Sequence, residues 1–363
     1  MAKKMYIGVD GKARKVKKAY IGVDNIARKV KKMYMGVDGV ARCIFSGGGG
    51  ELSYYGTATA LSEVKYSFAT TSIGNYGLFG GGYNGSSVSA VVNAYDTSLT
   101  RTTPTALSKA RQNLGATTVG NYGLFGGGYD GSSEVATVDA YNTSLTRTTP
   151  TALSKARRYV SATTVGNYGL FGGGSTSKYT TVDAYNTSLT RTTPTALSEG
   201  RYSIGATTVG NYGLFGGGAL ASTTVDAYNT SLTRTTPTAL SVGRMSIGAT
   251  TVGNYGLFGG GSISTTVDAY DTSLTRTTPT PLSEAREPEA TTVRNYGLFG
   301  GGRKSGGAST TVDAYDTSLT RTTPTPLSKA KRLLGAVTVG NYGLFGGGYG
   351  ESTVDAYTYI PEE

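Results

Sequence analysis

The chain has 363 residues, among them 55 glycines and 27 tyrosines, with one cysteine, no histidine and no tryptophan. Without histidine there is no imidazole base and no Ser-His or Cys-His pair, and the lone Cys43 excludes an intramolecular disulfide and a Cys/His zinc site. The net charge of +11 is uneven, because residues 1–45 hold 12 of the 34 Lys/Arg and only three of the 23 Asp/Glu.

The first 45 residues form a basic module of three short repeats. Met5 to Lys18, Ala19 to Lys32 and Met33 to Phe45 share the pattern Tyr-Ile/Met-Gly-Val-Asp. Each copy has a pair of residues that tolerate positive φ, which predicts a small β-hairpin of two strands. These turn pairs are Asp10-Gly11, Asp24-Asn25 and Asp38-Gly39.

The cations of this module allow more than one interpretation. They can dock the chain onto a larger assembly, or they can form a solvated face that limits edge-to-edge strand pairing. Nucleic-acid binding is the weaker alternative, because lysine clusters alone are a weak signal. The candidate docking residues are Lys12, Arg14, Lys15, Lys17, Lys18, Arg28, Lys29, Lys31 and Lys32.

A larger repeat fills the rest of the chain after a glycine-rich linker at residues 46–50. The motif Asn-Tyr-Gly-Leu-Phe-Gly-Gly-Gly occurs seven times within residues 51–363, with phenylalanines 41 to 46 residues apart. Such a period indicates a propeller or a solenoid, because one unit cannot bury its own apolar face. The phenylalanines are Phe79, Phe125, Phe171, Phe215, Phe258, Phe299 and Phe345.

One copy of this repeat predicts four strands, at residues 114–120, 122–128, 137–141 and 145–153. Pro150 cannot donate to a ladder, so the fourth strand should lie at the outer edge. The last copy lacks a fourth strand, and residues 52–62 resemble the missing one. We therefore predict an all-β fold, a seven-bladed propeller closed by an N-terminal outer strand and preceded by the hairpin module.

The repeat resembles the kelch family. A Gly-Gly pair follows an apolar strand, Val-Asp-x-Tyr-Asp comes next, and a Leu-Ser-x-Ala-Arg stretch follows, seven times over about residues 51–357. The resemblance implies a kelch-like β-propeller. This chain departs from the family where Thr-rich LTRTTPT replaces the usual Trp after the Tyr-Asp pair.

Differences between the copies cluster in the segment after the glycine triplet and just after the recurrent Arg. In an up-and-down blade these two segments emerge on one face, where loops on a rigid scaffold usually carry recognition. Drift is the alternative, although it predicts similar freedom in the nearly fixed turns of the other face. The candidate ligand-binding residues are Tyr83, Asn84, Tyr129, Asp130, Tyr159, Lys178, Tyr179, Tyr202, Arg303, Lys304 and Tyr349.

Two residues recur in the third strand of nearly every copy. The tyrosines at the position of Tyr141 are expected to pack in the core. The aspartates at the position of Asp139 are expected to bond nearby backbone or Arg groups. A calcium role is the weaker alternative, because no loop spacing brings several oxygens together.

These features favour a binding protein without catalytic residues, cofactor or metal. The short basic repeats look like those of bacteriophage and prophage structural proteins of Gram-positive bacteria, which implies a virion or tail protein. Residues 1–45 would then contact other virion proteins, and the propeller would bind a host-surface glycan or protein. The alternative is an intracellular kelch-type scaffold for protein partners.

The start of the chain bears on its localisation. No apolar run follows Met1-Ala2-Lys3-Lys4. We therefore expect cytoplasmic synthesis without a signal peptide and no membrane span, with the virion as the final location. The sequence leaves open whether the chain forms a homo-oligomer.

Overall fold

The computed structural model describes residues 51–361 and, before them, only the backbone of six short strands. These strands pair into three antiparallel hairpins, one for each short repeat. The predicted turn pairs, together with Lys17, Lys18 and Lys31, lie outside the described residues. The hairpins are Tyr6–Val9 with Lys12–Lys15, Ala19–Val23 with Ile26–Val30, and Lys32–Val37 with Val40–Ser46.

Seven antiparallel four-stranded blades make up residues 51–361, and the described part of the chain contains no helix that could cross a membrane. The first strands of blades 1 to 7 are Ala69–Ile73, Gly115–Val119, Ser161–Val165, Gly205–Val209, Gly248–Val252, Glu287–Val293 and Gly335–Val339. The second strands are Tyr76–Gly80, Tyr122–Gly126, Tyr168–Gly172, Tyr212–Gly216, Tyr255–Gly259, Tyr296–Lys304 and Tyr342–Gly346.

The outer half of each blade holds the third and fourth strands. The third strands are Val92–Tyr95, Val138–Asn142, Val182–Asn186, Val225–Asn229, Val267–Asp271, Val312–Tyr315 and Val354–Ile360. The fourth strands are Arg101–Thr102, Arg147–Thr148, Arg191–Thr192, Arg234–Thr235, Arg276–Thr277, Arg321–Thr322 and, for blade 7, Glu51–Ala58. Blade 6 has an additional short strand, Gly307–Ala308.

The ring closes as the sequence predicts. Glu51–Ala58 pairs antiparallel with Val354–Ile360 and supplies the outer strand of blade 7. Leu52 joins the buried core there, and the Tyr54 hydroxyl donates to Asp355 at 2.9 Å. Neighbouring first strands contact each other all the way round, including blade 7 against blade 1. The closed ring leaves no unpaired third strand in blade 7.

The fourth strand is much shorter than the sequence pattern predicted. In blade 2 the expected strand at 145–153 is reduced to Arg147–Thr148, and Pro150 lies beyond the ladder. The chain leaves blade 2 after Thr148 because the following residues bond to blade 3. The Thr151 carbonyl accepts a hydrogen bond from the Tyr185 hydroxyl of blade 3 at 2.7 Å. Residues 149–153 therefore tie two blades together.

The core lies between blades rather than inside them. Val119, Leu124 and Val138 of blade 2 pack against Phe171 and Tyr185 of blade 3, and all five are fully buried. Within a blade the ring of the Phe contacts that of the recurrent Tyr edge-on. The recurrent tyrosines are packing residues, as predicted: Tyr95, Tyr141, Tyr185, Tyr228, Tyr270, Tyr315 and Tyr357.

The first strands surround an axial channel of about 260 Å³ that is lined mainly by threonine. In hydroxyl ring A, each hydroxyl donates to a carbonyl oxygen of the preceding blade, without a break. Its members are Ser72, Thr118, Thr164, Thr208, Thr251, Thr292 and Thr338. Hydroxyl ring B bonds to the ring A oxygens of the next blade and consists of Thr71, Thr117, Thr163, Thr207, Thr250 and Thr291.

The chain direction defines two faces of the ring. The variable face carries the links 62–68, 108–114, 154–160, 198–204, 241–247, 283–289 and 328–334, with the loops 83–90, 129–136, 175–180, 219–223, 262–265, 303–309 and 349–352. The uniform face carries the turns from first to second and from third to fourth strands. Glu51 pairs with Ile360 at the uniform face, so both ends of the propeller lie on that side.

Candidate functional site: the variable face

On the variable face, each loop packs beside the link that enters the same blade. The Tyr129 N–H donates to the Gln112 carbonyl at 2.8 Å, and the Tyr349 N–H donates to the Arg332 carbonyl at 2.9 Å. Sequence variation is therefore concentrated in adjacent positions that the backbone holds together. The seven variable pairs are Tyr66 with Tyr83, Gln112 with Tyr129, Arg158 with Ser175, Tyr202 with Ala219, Met245 with Ser262, Glu287 with Arg303, and Arg332 with Tyr349.

The glycine triplet bends the chain into each loop. In blade 2 the second strand was predicted to reach Gly128 but ends at Gly126, because Gly127 and Gly128 have φ of +68° and +114°. A Cβ on Gly127 would lie 2.6 Å from the Arg157 carbonyl oxygen. Only glycine combines this φ with so close an approach, so the loop always starts at the same place.

A buried ion pair fixes the link. Arg111 is fully buried and its Nη2 lies 2.8 Å from Oδ2 of Asp139, whose Oδ1 lies 2.8 Å from Nη1 of Arg147. Burial raises the pKa of Asp139, but the Arg111 charge and the hydrogen bonds from Arg147, Ser108 and Arg111 outweigh it, so the net shift is downward. The prediction that these aspartates bond Arg groups is confirmed.

Tyrosines form a cluster where blades 7 and 1 meet. The Tyr66 ring lies 5.6 Å from Tyr83 and 5.2 Å from Tyr349, measured between centroids. The Arg332 guanidinium lies over the Tyr349 ring at 4.5 Å, and Tyr349 is 55% exposed. This arrangement gives a broad aromatic surface with one cation, which suits contact with a ligand at low entropic cost.

A second cluster covers blades 2 to 4. The Arg158 guanidinium lies 5.1 Å from the Tyr129 ring and 5.3 Å from the Tyr159 ring, and Tyr159 lies 5.8 Å from Tyr202. Lys155 lies 5.0 Å over the Tyr179 ring. The structure therefore brings three predicted tyrosines together, places the predicted Tyr179 under Lys155, and adds two cations that the sequence did not indicate.

Most of the other predicted charged residues are bonded within their own blade. Arg303 pairs with Glu287 at 2.7 Å, Lys304 pairs with Glu284 at 2.6 Å, and Asp130 pairs with Lys109 at 2.5 Å. The Asn84 and Asp130 side chains also accept backbone N–H groups of their loops. These residues shape the loops, whereas the predicted Lys178 is exposed at a loop tip.

Local bonding also shifts two of the acidic groups. The hydrogen bond from Lys109, followed by those from Ser133 and Ser132, lowers the pKa of Asp130. Burial raises the pKa of Glu284, but hydrogen bonds from Lys304, Ser309 and Thr311 outweigh it and lower that pKa to about 2. Both carboxylates therefore stay ionised near neutral pH.

An apolar area on blades 4 and 5 was missed by the sequence reasoning. Leu220 is 78% exposed, Val242 is 49% exposed and Ile263 is 37% exposed, all on the variable face. Leu220 and Ile263 have positive φ at their loop tips, which holds these side chains at the tips of tight turns. The sequence indicated this area only through Leu220 and Ile263, each of which is a large apolar residue in a loop of mostly small residues.

A ring of left-handed residues around the axis was also missed. Six links have a non-glycine residue at φ near +54° directly after the variable position, and several of these residues bond from blade to blade. The Asn113 N–H donates to the Ser67 carbonyl at 2.8 Å, and the Tyr159 N–H donates to the Asn113 carbonyl at 2.8 Å. The members are Ser67, Asn113, Tyr159, Ser203, Ser246 and Leu333, while Pro288 stands in blade 6.

Metal-binding chemistry has no counterpart among the described residues. No group of three or more His, Cys, Asp or Glu side chains converges there. The recurrent aspartates are committed to buried arginines or, in blade 7, to Lys331. The arrangement offers aromatic surfaces, hydroxyls, a few free cations and an apolar area, which together suit binding.

Comparison with known proteins supports the fold alone. No protein-family profile matches the chain, and no curated protein matches it. Among solved structures the chain is similar to YjhT, with a TM-score of 0.58 and 12% identity over 74% of this chain and 99% of that one. At this identity the likeness extends to the β-propeller architecture and not to an activity.

Proposed function

We propose that this chain is a non-enzymatic binding protein of a phage or prophage particle, and that the variable face of its propeller recognises a glycan or protein on the host surface. The observation that carries the proposal is the set of seven variable pairs, which lie side by side on one face of a scaffold whose other face hardly varies.

The position of the ends of the propeller supports separate roles for residues 1–45 and for the variable face. The chain enters the propeller at Glu51, on the uniform face, and residues 47–50 of the predicted linker lie outside the described residues. The N-terminal repeats therefore connect to the propeller at the face opposite the variable face. Docking through residues 1–45 would leave the variable face free to meet a second surface.

The charges of the variable face favour a largely neutral ligand. Arg303, Lys304 and Lys109 are neutralised by acidic neighbours, and the cations left over lie mainly on tyrosine rings. A nucleic-acid site would instead present a continuous set of unpaired cations. Tyrosine with scattered polar groups is the composition that rigid recognition surfaces use.

The test is binding of the full chain to envelopes purified from candidate Gram-positive hosts. We expect saturable binding that falls at least about tenfold in the triple variant Tyr83→Ala, Tyr129→Ala, Tyr349→Ala, since aromatic anchors dominate such interfaces. The matched control is Tyr55→Ala, which removes a 46% exposed tyrosine of the outer strand of blade 7. Unchanged binding by the triple variant would count against the proposal, and retention by residues 1–45 alone would move the activity to the hairpins.

A further inference from the structure

The axial channel presents oxygen lone pairs to its lumen rather than hydrogen-bond donors. Every hydroxyl of ring A donates its only proton to a backbone carbonyl. The hydroxyls of ring B must therefore donate to the ring A oxygens that they contact, as Thr291 does to Thr338 at 3.0 Å. With the protons of both rings committed in this way, the wall of the channel can accept hydrogen bonds but hardly donate them.

Blade 6 alone adds charge to the first strands that surround this channel. Glu289 occupies the position that holds Ala, Ser or Gly in the other six blades, such as Ser161 and Gly248. It lies two residues before Thr291, on the same side of the strand and about 6.6 Å nearer the variable face. Glu289 is exposed, and its place at the start of the first strand lies at the variable-face end of the channel.

The local backbone differs from the other blades in a way that re-aims this residue. A β-bulge falls between Glu287 and Glu289, and Pro288 replaces the left-handed residue of the other links. Bulges of this kind often redirect a side chain beside a functional site. The replacement of a small residue by Glu289 is therefore accompanied by a change in the backbone of the same strand.

Two other carboxylates of this link are neutralised, whereas Glu289 is not. Glu287 accepts both Nε and Nη2 of Arg303, and Glu284 binds Lys304. On the neighbouring blade 7, Lys331 is committed to Asp355 and Arg332 lies on the Tyr349 ring. Glu289 has no ion-pair or hydrogen-bond partner among the described residues, and desolvation by the surrounding protein shifts its pKa upward even though the side chain reaches water.

We propose that the variable-face mouth of the axial channel binds a small monovalent cation, with Glu289 as its counter-ion and the acceptor oxygens below it as further ligands. The cation is either an inorganic ion or the ammonium group of a small molecule, since both need one negative charge and several oxygen acceptors. A divalent hard cation would require more carboxylates than this mouth supplies. This site does not depend on the proposed function.

The test is thermal unfolding of the full chain at pH 8 and constant ionic strength. Sodium, potassium and methylammonium chloride are compared with choline chloride, whose cation is too large and carries no N–H. We expect at least one of the first three to raise Tm by about 1–3 °C at ten times its Kd. An effect of sodium or potassium alone assigns an inorganic ion, and an effect of methylammonium alone assigns an ammonium group.

Two variants separate binding from structure. Glu289→Ser installs the residue that blade 3 carries at Ser161, and Glu289→Gln keeps the shape without the charge. Both should abolish the cation effect, and in the native chain the effect should shrink as falling pH protonates Glu289, whose pKa is raised. The proposal is overturned if no cation differs from choline, or if either variant responds as the native chain does.

Discussion

Five of the seven blades bury one carboxylate between two arginines, as Asp139 lies between Arg111 and Arg147. Removing one member of such a buried set leaves an uncompensated charge, which typically costs about 3–5 kcal/mol. The aspartates at the position of Asp139 could be identified in the sequence because they recur in nearly every copy. Since no loop has the spacing of a calcium site, backbone or Arg groups were the expected partners. Which arginine would be buried could not be predicted, because arginine recurs at both positions in most blades.

Blade 1 departs from this pattern in both partners. Asn93 replaces the aspartate and Lys65 replaces the buried arginine. The Asn93 Oδ1 accepts from the Ser62 N–H and from Arg101, both at 2.9 Å, while its buried Nδ2 has no partner. Lys65 donates to the Phe79 carbonyl at 3.1 Å and to the Val91 carbonyl at 2.9 Å, and it makes no ion pair, although the charge of Glu63 partly favours its protonated form. Burial lowers its pKa to about 7.

This lysine predicts a rise in stability with pH. Between about pH 7 and its ordinary pKa near 10.5, the unfolded chain binds a proton at Lys65 that the folded chain does not. The free energy of unfolding should therefore increase with pH, by up to about 1.4 kcal/mol per unit. Urea unfolding at intervals from pH 7 to 9.5 measures the slope below the range where tyrosines ionise.

Asn93→Asp is the matched control for that slope. It restores the carboxylate found in the other blades, so Lys65 should stay charged and the slope should flatten. The unfolding free energy at pH 7 should rise by about 1–3 kcal/mol. Lys331, whose pKa burial also lowers, contributes equally to both proteins. Identical slopes in the native and Asn93→Asp chains would contradict this account of Lys65.

At the scale of the element, the order of the strands in a blade could be predicted from the sequence, but the length of the fourth strand could not. Alternation and turn residues predicted the strands near Gly115–Val119 and Val138–Asn142 closely. The LTRTTPTAL segment looks like a strand along its whole length, but the Thr151 carbonyl accepts a hydrogen bond from the next blade. Local pattern cannot reveal that contact, because the partner Tyr185 is 34 residues away in the chain.

The turns of the uniform face are locked between blades. A Cβ on Gly120 of blade 2 would lie 2.9 Å from Cγ2 of Thr187, in the turn between the third and fourth strands of blade 3. Five other blades repeat this contact. Blade 7 has no such turn, because its fourth strand comes from Glu51–Ala58, and in blade 6 the glycine is replaced by Arg294 at φ +53°. The closure of the ring therefore explains the one exception in the turn sequence.

This lock predicts opposite outcomes for two exchanges. Gly120→Arg should lower the free energy of unfolding by at least about 1–2 kcal/mol, because it adds both a left-handed side chain and a clash with Thr187. Arg294→Gly should leave stability unchanged or raise it slightly, because it relieves the left-handed strain where no threonine lies opposite. Thermal unfolding of both variants decides the matter, and equal losses would show that the turn contact does not matter.

At the scale of the whole molecule, comparison of copies within the chain predicted that variation lies on one face of the ring. Closure by Glu51–Ala58 was also predicted, from the missing fourth strand of the last copy. The apolar area around Leu220 and the charge at Glu289 were not predicted, since each depends on which blades become neighbours around the axis. The closed ring determines which side chains of different blades lie next to each other, and the repeat pattern in the sequence does not show this.

Hydroxyl-radical footprinting of the full chain, free and bound to envelopes of a host that retains it, tests whether the variable face is the recognition surface. We expect protection of the variable-face residues Tyr349, Leu220 and Tyr202, and no protection of Tyr55, which lies on the outer strand of blade 7. Protection of Tyr55 and the uniform-face turns with an unchanged variable face would contradict recognition by the variable face and would place it on the uniform face.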